Sequence, residues 1–205
     1  MTFQDMVANR QRLIDRTAVL FETCKKGDGF YLNLGCGASP REGMVNVDRY
    51  ADHPGVHRMD MTCLDVEDGT VDLIYSSHSL EHLPLRRSRI ALRDWYRALR
   101  PGGILFLSMP DLDLIMRMLL GSPDVNTRHW LLYTLFGYQA DMQAPREDDT
   151  AAYDPGQVHM SGHSQATLTA EMLDIGYTIK DTYQYEGYGT PGVFVEACRP
   201  FKDAT

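Results

Sequence analysis

Two short apolar runs on either side of a glycine turn constrain the fold of this chain more than any other feature. The first run, FYLNL from Phe30, leads into Gly35 and Gly37, and the second, VNV from Val45, ends in Asp48. Glycines at a strand end let the backbone approach a ligand, and an acid at the tip of the next strand can accept hydrogen bonds from ribose hydroxyls. The pattern therefore predicts a parallel α/β sheet that binds an adenosine-like group at its strand ends.

The spacing of these residues distinguishes between adenosine cofactors. A dinucleotide site has a third glycine and an acid about 20 residues further on, because a full helix must offer its N-terminus to a pyrophosphate. Here Pro40 stands where the third glycine would be, and Asp48 follows Gly37 by only eleven residues. No long helix fits between them. By itself, a single Gly-x-Gly is equally compatible with an ordinary turn after a strand.

Several segments together resemble the class I (Rossmann-like) S-adenosylmethionine-dependent methyltransferases, and most of all their small predicted-methyltransferase type. In the order of that family, they are LNLGCG (32–37), the acid Asp48, MDM (59–61), VDLIYSSHSLEHLP (71–84) and LRPGGILFLSMPD (99–111). The resemblance implies a Rossmann-like, doubly wound α/β fold with a mostly parallel seven-stranded sheet whose last strand is antiparallel. It also implies S-adenosyl-L-methionine as cofactor, S-adenosyl-L-homocysteine as product, and methyl transfer to O or N of a small-molecule or glycan-like acceptor.

The same resemblance implies which residues bind the cofactor. Gly35 and Gly37 would let the backbone approach the methionine moiety, and Asp48 would bind the ribose. Asp60 and Met61 would flank the adenine, by polar contact and by apolar packing respectively. The full set of expected cofactor-binding residues is Asn33, Gly35, Cys36, Gly37, Asp48, Asp60, Met61, Ser76 and Ser77.

Candidate general bases are histidines, because their side chains titrate nearest neutral pH. The expected catalytic residues are His78, which follows the fourth strand, and His159 and His163, which follow an acidic segment. His78 and His82 are four residues apart, as are His159 and His163, and on a helix this spacing can hold a metal. A proline after the first pair and a glycine inside the second argue against continuous helices. The sequence therefore predicts no metal site, and hydrogen bonding within loops remains an alternative role for the histidines.

Composition and charge narrow the choice of partners. The chain has 205 residues, of which 43% are hydrophobic, and its formal net charge is −8. This charge would repel a phosphate backbone, so a nucleic acid substrate is not expected. The sequence has no apolar run of about 18 residues and no signal-peptide core, which predicts a cytoplasmic protein without a membrane partner. The four cysteines are expected to be reduced, and the oligomeric state is left open.

The chain is predicted to form a single domain over residues 1–205. Its expected parts are an N-terminal helix (1–26), a cofactor-binding half (30–110), a helical and loop insertion on the substrate side (111–163), and a C-terminal helix with a strand hairpin (164–199). In the N-terminal helix, the spacing of Phe3, Val7, Ile14, Ala18 and Phe21 predicts the buried face. Residues 137–162 have the length and acidity of a functional loop, in which Tyr138 or Tyr153 would stack on the substrate.

Two other functions remain open from the sequence. The chain could be a non-catalytic module that binds S-adenosylmethionine, or an NAD(P)-dependent reductase on the same architecture. The proline at position 40 and the short first connection count against the reductase.

Overall fold

The computed structural model describes residues 2–137, 157–187 and 190–201. Most of the predicted substrate-side loop, including Tyr138 and Tyr153, therefore lies outside the described residues. In chain order the elements are α1 (Phe3–Lys26), β1 (Tyr31–Leu34), β2 (Val45–Asp48), β3 (Val56–Arg58), β4 (Val71–Ser77), a single 3-10 turn (Leu80–His82), α2 (Leu85–Ala98), β5 (Leu99–Pro110), α3 (Leu112–Gly121), α4 (Val125–Phe136), α5 (Gln165–Ile175), β6 (Thr178–Gly187) and β7 (Thr190–Cys198).

Within the described chain, seven strands form one sheet in the order β3-β2-β1-β4-β5-β7-β6. The first five strands pair in parallel, whereas β7 pairs antiparallel with both β5 and β6. This confirms the predicted Rossmann-like sheet and its antiparallel last strand. The strand order reverses between β1 and β4, and ligands of open α/β sheets bind at this point, outside the carboxyl ends of the strands.

The connection from β1 to β2 is short, as the glycine spacing predicts. Residues 35–44, all of which the structure describes, contain turns and no helix. The amides of Gly35 and Cys36 donate to the carbonyl oxygen of Val47, at 2.8 and 3.2 Å. These bonds fold the glycine turn back onto β2, so that the turn and the tip of β2 lie side by side.

The core that supports this edge is built from the central strands and helix α2. Leu32, Ile74 and Leu105 are fully buried, as expected for short apolar strands that helices cover on both faces. Trp95 of α2 packs into the same cluster, and its Nε1 donates to the carbonyl oxygen of Met61 at 2.8 Å. Helix α2 thereby fixes the loop after β3, which borders the ligand edge of the sheet.

Helix α1 buries only part of the face that was predicted. Phe21 is partly buried and packs against the core, as expected, but Val7 and Ile14 are 42% and 43% exposed. Arg12 pairs with Asp181 of β6 at a distance of 2.6 Å. The prediction was wrong for Val7 and Ile14 because the sheet edge that α1 crosses also offers carboxylates, and arginines of the helix turn toward them.

The sequence predicts that Ser164 caps the start of a C-terminal helix and that Gly176 closes it, and helix α5 has both limits. The Oγ of Ser164 accepts a hydrogen bond from the amide of Thr167, and Gly176 closes the helix in the left-handed conformation. The sequence predicts a turn at the Pro-Gly-Gly segment (101–103) and a strand that begins after it, at Ile104. Strand β5 begins earlier, at Leu99, because Leu99 pairs with Val71 across a register shift, and the Pro-Gly-Gly segment thus lies within the strand.

Two predictions from composition concern thiols and membranes. All four cysteines are free thiols, as expected. Among the helices that the structure describes, none combines the length and the apolar character that a bilayer crossing requires.

Candidate active site

A cavity of about 380 Å³ lies at the carboxyl ends of β1, β2 and β4. Its volume falls within the usual range for small-molecule sites, about 300–1,000 Å³. Most of the residues predicted from the sequence line it, but Ser76, His159 and His163 do not. The predicted residues that do line it are Asn33, Gly35, Cys36, Gly37, Asp48, Asp60, Met61, Ser77 and His78.

The two glycines of the turn have different roles. Both have positive φ angles, +66° at Gly35 and +52° at Gly37. A Cβ on Gly35 would lie 2.2 Å from the Cβ of Ser79, whereas a Cβ on Gly37 would meet no described atom within 4 Å. Gly35 therefore allows the turn to pack against the loop after β4, and Gly37 leaves open the space beside the cavity wall.

Asp48 holds this edge of the cavity together. Its Oδ2 accepts a hydrogen bond from the amide of Gly37 at 2.9 Å. Its Oδ1 accepts from the amides of Tyr50 and Ala51, both at 2.8 Å. A carboxylate offers roughly four acceptor sites, so about one remains for a ligand. The sequence pattern suggested bonds to both ribose hydroxyls, and the backbone donors reduce that capacity.

Asp60 lies in the cavity wall, but protein donors occupy its oxygens. Oδ1 accepts from the amide and hydroxyl of Thr62, and Oδ2 accepts from Arg49 at 2.9 Å and Arg87 at 2.6 Å. Burial opposes ionisation, but the Thr62 hydrogen bonds and the two arginines outweigh it and lower the pKa of Asp60. Asp60 thus fixes the loop that presents Met61, and the thioether supplies the apolar part of the wall.

The serines after β4 divide between the core and the cavity. Ser76 is fully buried and hydrogen-bonds to the hydroxyl of Ser79. Ser77 lines the cavity, and its Oγ accepts a hydrogen bond from Ser108 at 2.9 Å. Of the two, only Ser77 has access to a ligand, as the alternation of side chains along a strand requires.

Cys36 and Asn33 line the cavity without the properties of a nucleophile. Burial, together with the charge of Asp48, raises the pKa of Cys36 to about 11. The group is therefore a neutral thiol near pH 7, and thiols react as thiolates. The Nδ2 of Asn33 donates to the Oδ1 of Asn46 at 2.8 Å, which joins β1 to β2 below the cavity.

His78 has an unusual backbone conformation at the tip of β4. Its φ of +52° makes it the one non-glycine residue with positive φ in the described chain, and such outliers cluster at functional sites. Its ring lies between two side chains, with Nε2 3.3 Å from the Oη of Tyr185 and Nδ1 3.4 Å from the Oε1 of Glu81. Burial raises the pKa of Tyr185, which therefore keeps its proton and can donate it to Nε2. In that arrangement Nδ1 carries the ring proton and faces the carboxylate.

Glu81 is a site residue that sequence reasoning did not select. Its side chain is 1% exposed, against 43% for His78. Burial alone would raise the pKa of Glu81, but the imidazoles of His78, His82 and His159 outweigh burial and lower it. The one available signal was the placement of this acid between two histidines in HSLEHLP. His159 lies 78 residues after Glu81 in the chain, so only the fold brings the two together.

The other two predicted bases lie outside the cavity. His163 is buried, with Nε2 3.2 Å from the Oγ of Ser88 and Nδ1 3.7 Å from Glu171, so it joins α2 to α5. His159 is largely buried behind the cavity, and its ring packs edge-on against His82 at 4.9 Å. Burial lowers the pKa of both predicted bases. His82, which was not predicted as a base, lines the cavity instead.

Comparison with known proteins agrees with this architecture. Residues 32–107 match the model of a family described as a methyltransferase domain. No curated protein matches the chain.

Solved structures with similar folds include several methyltransferases. A SAM-dependent methyltransferase from Methanosarcina mazei is 14% identical, with a TM-score of 0.61 over 89% of this chain and 98% of that one. Magnesium protoporphyrin IX methyltransferase from Synechocystis PCC 6803, with bound SAH, is 15% identical, with a TM-score of 0.58 over 93% and 83%. A chain in the complex of the Trm112 methyltransferase activator with a methyltransferase from Haloferax volcanii is 13% identical, with a TM-score of 0.58 over 99% and 98%. At these identities the likeness concerns the fold.

Proposed function

We propose that this chain, a class I (Rossmann-like) S-adenosylmethionine-dependent methyltransferase, methylates O or N of a small-molecule or glycan-like acceptor with His78 as general base. One observation carries the proposal. A single cavity is lined at one side by the glycine turn and Asp48, and at another by His78. The residues proposed to bind the cofactor and the candidate base thus line one cavity, which is what a group transfer between two bound molecules requires.

The residues of the cavity fit the cofactor. Gly37 leaves room for the ligand, since a Cβ there would enter space free of described atoms. Asp48 keeps about one acceptor site for a ribose hydroxyl after its three backbone bonds. Met61 adds an apolar surface for a base. When bound, S-adenosylmethionine supplies a methyl group attached to a positively charged sulfur.

The His78 ring is the proposed proton acceptor. Nε2 takes the proton from the acceptor O or N as that atom bonds to the methyl carbon, while the electrons of the broken carbon–sulfur bond return to sulfur. Nδ1 faces Glu81 at 3.4 Å, and a buried carboxylate in this position orients the ring and stabilises the imidazolium that forms. The acceptor displaces the Tyr185 hydroxyl, whose contact with Nε2 is long at 3.3 Å.

Charge distribution supports a small acceptor over a nucleic acid. Three of the five arginines of α2 pair with carboxylates of the same chain: Arg87 with Asp60, Arg89 with Asp174, and Arg97 with Asp68. With a net charge of −8, the two other arginines of this helix offer little attraction for a phosphate backbone. The cytoplasmic location remains a prediction from the sequence.

Substitution of Gly37 tests the cofactor side of the proposal. Gly37→Ala is expected to weaken binding of S-adenosylhomocysteine about tenfold, or about 1.4 kcal/mol, because the new methyl group occupies ligand space. Gly55→Ala is a matched control, since Gly55 also has positive φ and no described neighbour within 4 Å of a Cβ, yet lies outside the cavity lining. Both variants carry similar backbone strain. Equal calorimetric affinities in the two would contradict the assigned ligand position.

A transfer assay with isotopically labelled S-adenosylmethionine tests the acceptor class. The panel comprises nucleotide sugars, oligosaccharides, small phenolics and small amines, with short duplex DNA and RNA as comparison. We expect label in at least one small acceptor and none in the nucleic acids. Calorimetry with S-adenosylhomocysteine on the same preparation separates a failed cofactor site from a wrong acceptor class. A chain that binds this product but labels only nucleic acid would overturn the proposed acceptor.

A further inference from the structure

The carboxylate of Glu81 is a buried charge with no conventional partner. Its side chain is 1% exposed, and neither oxygen accepts a well-formed hydrogen bond from any residue that the structure describes. The nearest donors are the Nδ1 of His78 at 3.4 Å and the Nε2 of His159 at 3.9 Å from Oε1. The buried Oγ of Ser161 likewise has no partner within the described residues. Buried polar atoms without partners are strongly destabilising, so such a group points to a bound water or ion.

Two imidazoles converge on this carboxylate. Glu81, His82 and His159 each contribute a ligand atom, and these atoms lie within 4.8 Å of one another. Bonds of about 2.0–2.2 Å in a tetrahedral arrangement place ligand atoms about 3.3–3.6 Å apart. Closing the set around an ion therefore needs the most distant pair to approach by up to about 1.5 Å, which rotation of two side chains can provide.

A backbone hydrogen bond orients one of the two rings. The Nδ1 of His82 lies 3.1 Å from the carbonyl oxygen of Val158, which requires the proton on Nδ1 and leaves the lone pair on Nε2. Metal-ligating histidines in proteins are oriented in this way, by a carbonyl or carboxylate on the other nitrogen. The other ring, that of His159, places its Nε2 3.9 Å from the Oε1 of Glu81.

Backbone contacts hold the two segments in place. The amides of Met160 and Ser161 donate to the carbonyl oxygen of Glu81, at 2.8 and 3.1 Å. The amide of His159 donates to the carbonyl oxygen of Phe136 at 3.0 Å. The segment that carries His159 is therefore fixed both to the loop after β4 and to the end of α4, and the three side chains are pre-organised.

The three residues lie between two cavities. His82 lines the cavity of about 380 Å³. Behind it, Glu81, His159 and Ser161 line a second cavity of about 10 Å³, which is close to the space that one water molecule needs. An ion held by the three ligands would thus face the large cavity.

We propose that Glu81, His82 and His159 bind a divalent first-row transition-metal ion at the acceptor side of the large cavity. One carboxylate and two imidazoles suit such ions better than Mg²⁺ or Ca²⁺, which prefer oxygen ligands. The sequence predicts no metal because a proline follows the first His-x-x-x-His pair and a glycine interrupts the second, but this site takes one histidine from each pair.

In the proposed methyl transfer, the ion would position the acceptor. Three protein ligands leave coordination positions open, as catalytic metal sites do. An oxygen or nitrogen of the acceptor completes the coordination and is held beside His78. This role rests on the proposed function, whereas the binding of the ion does not.

Calorimetric titration of the full chain tests the site. The protein is first stripped of metal with a chelator and dialysed, and it is then titrated with Zn²⁺ and Mn²⁺ as probes and with Mg²⁺ for comparison. We expect about one Zn²⁺ or Mn²⁺ per chain and weaker binding of Mg²⁺. Glu81→Gln, His82→Asn and His159→Asn should each lower Zn²⁺ affinity at least tenfold. His57→Asn is the control, since His57 is exposed on β3 and lies outside the group.

Thermal unfolding of each metal-free variant checks its folding. If Glu81→Gln does not fold, the His82→Asn variant provides the test, because the ring of His82 borders the large cavity. Three results would overturn the inference. They are an unaltered chain that binds no Zn²⁺ or Mn²⁺, three variants that bind Zn²⁺ as tightly as His57→Asn does, and an unaltered chain that binds Mg²⁺ as tightly as Zn²⁺. The titration involves neither acceptor nor turnover. A negative result therefore leaves the proposed methyl transfer intact, and a failed transfer assay leaves the ion site intact.

Discussion

Replacing His78 with asparagine is expected to slow methyl transfer by about 10²–10⁴-fold, the usual contribution of a general acid or base. The variant removes the proton-accepting nitrogen, whereas Glu81 and the buried tyrosine on the other side of the ring remain. Asparagine is preferable to alanine here because position 78 has a φ of +52°, which asparagine tolerates better than most residues. The measurement is the single-turnover rate with the acceptor that the labelled-methyl assay identifies.

Two controls distinguish a loss of proton transfer from a loss of binding. Calorimetry should give an S-adenosylhomocysteine affinity within about twofold of the unaltered chain, because a lost proton acceptor changes the transfer step and not product binding. His57→Asn removes an exposed histidine of β3 and should leave the rate unchanged. A His78→Asn variant that retains more than about a tenth of the rate would exclude His78 as the base.

Replacing Asp48 with alanine is expected to weaken S-adenosylhomocysteine binding by about 1–3 kcal/mol, the scale for a lost hydrogen bond that leaves polar groups unpaired. The substitution removes the acceptor site for the ribose. It also frees the amides of Gly37, Tyr50 and Ala51, so the loop that forms the cavity wall loses its anchor. Both effects lower the affinity for S-adenosylhomocysteine, which calorimetry measures.

A neighbouring acid provides the control for charge. Asp52 is exposed and does not line the cavity, so Asp52→Ala changes the net charge by the same amount without touching the site. Thermal unfolding of both variants separates loss of affinity from loss of folded protein. A decrease of less than a few tenths of a kcal/mol in Asp48→Ala would mean that the ribose binds elsewhere.

The fold and the side of the cavity formed by the first two strands were predictable because their signals are local. The turn from Gly35 to Gly37 and the acid at Asp48 lie within a stretch of fourteen residues. Their placement at one edge of the sheet follows from the geometry of a strand end, which short-range sequence specifies. The sequence could not show which hydrogen-bonding groups already have partners within the protein, such as Asp48, which accepts bonds from three backbone amides.

The face of α1 and the early start of β5 were mispredicted for a related reason. Apolar periodicity identifies which residues share a face, but the partner element decides which face is buried. The ion pair of Arg12 with Asp181 joins residues 169 positions apart, and no local pattern contains that information.

The sequence by itself determined a doubly wound sheet, and the glycine turn and acid that line a cavity at the tips of its first two strands. Both depend on residues close together in the chain. Only the tertiary structure decided which histidines face the cavity. His163 turned into the junction of two helices, whereas His82 and His159 met around Glu81. The physical reason is that side chains from distant segments become neighbours only when the sheet edge, the 3-10 turn and the end of α4 pack together, and burial then leaves Glu81 with imidazoles as its nearest partners.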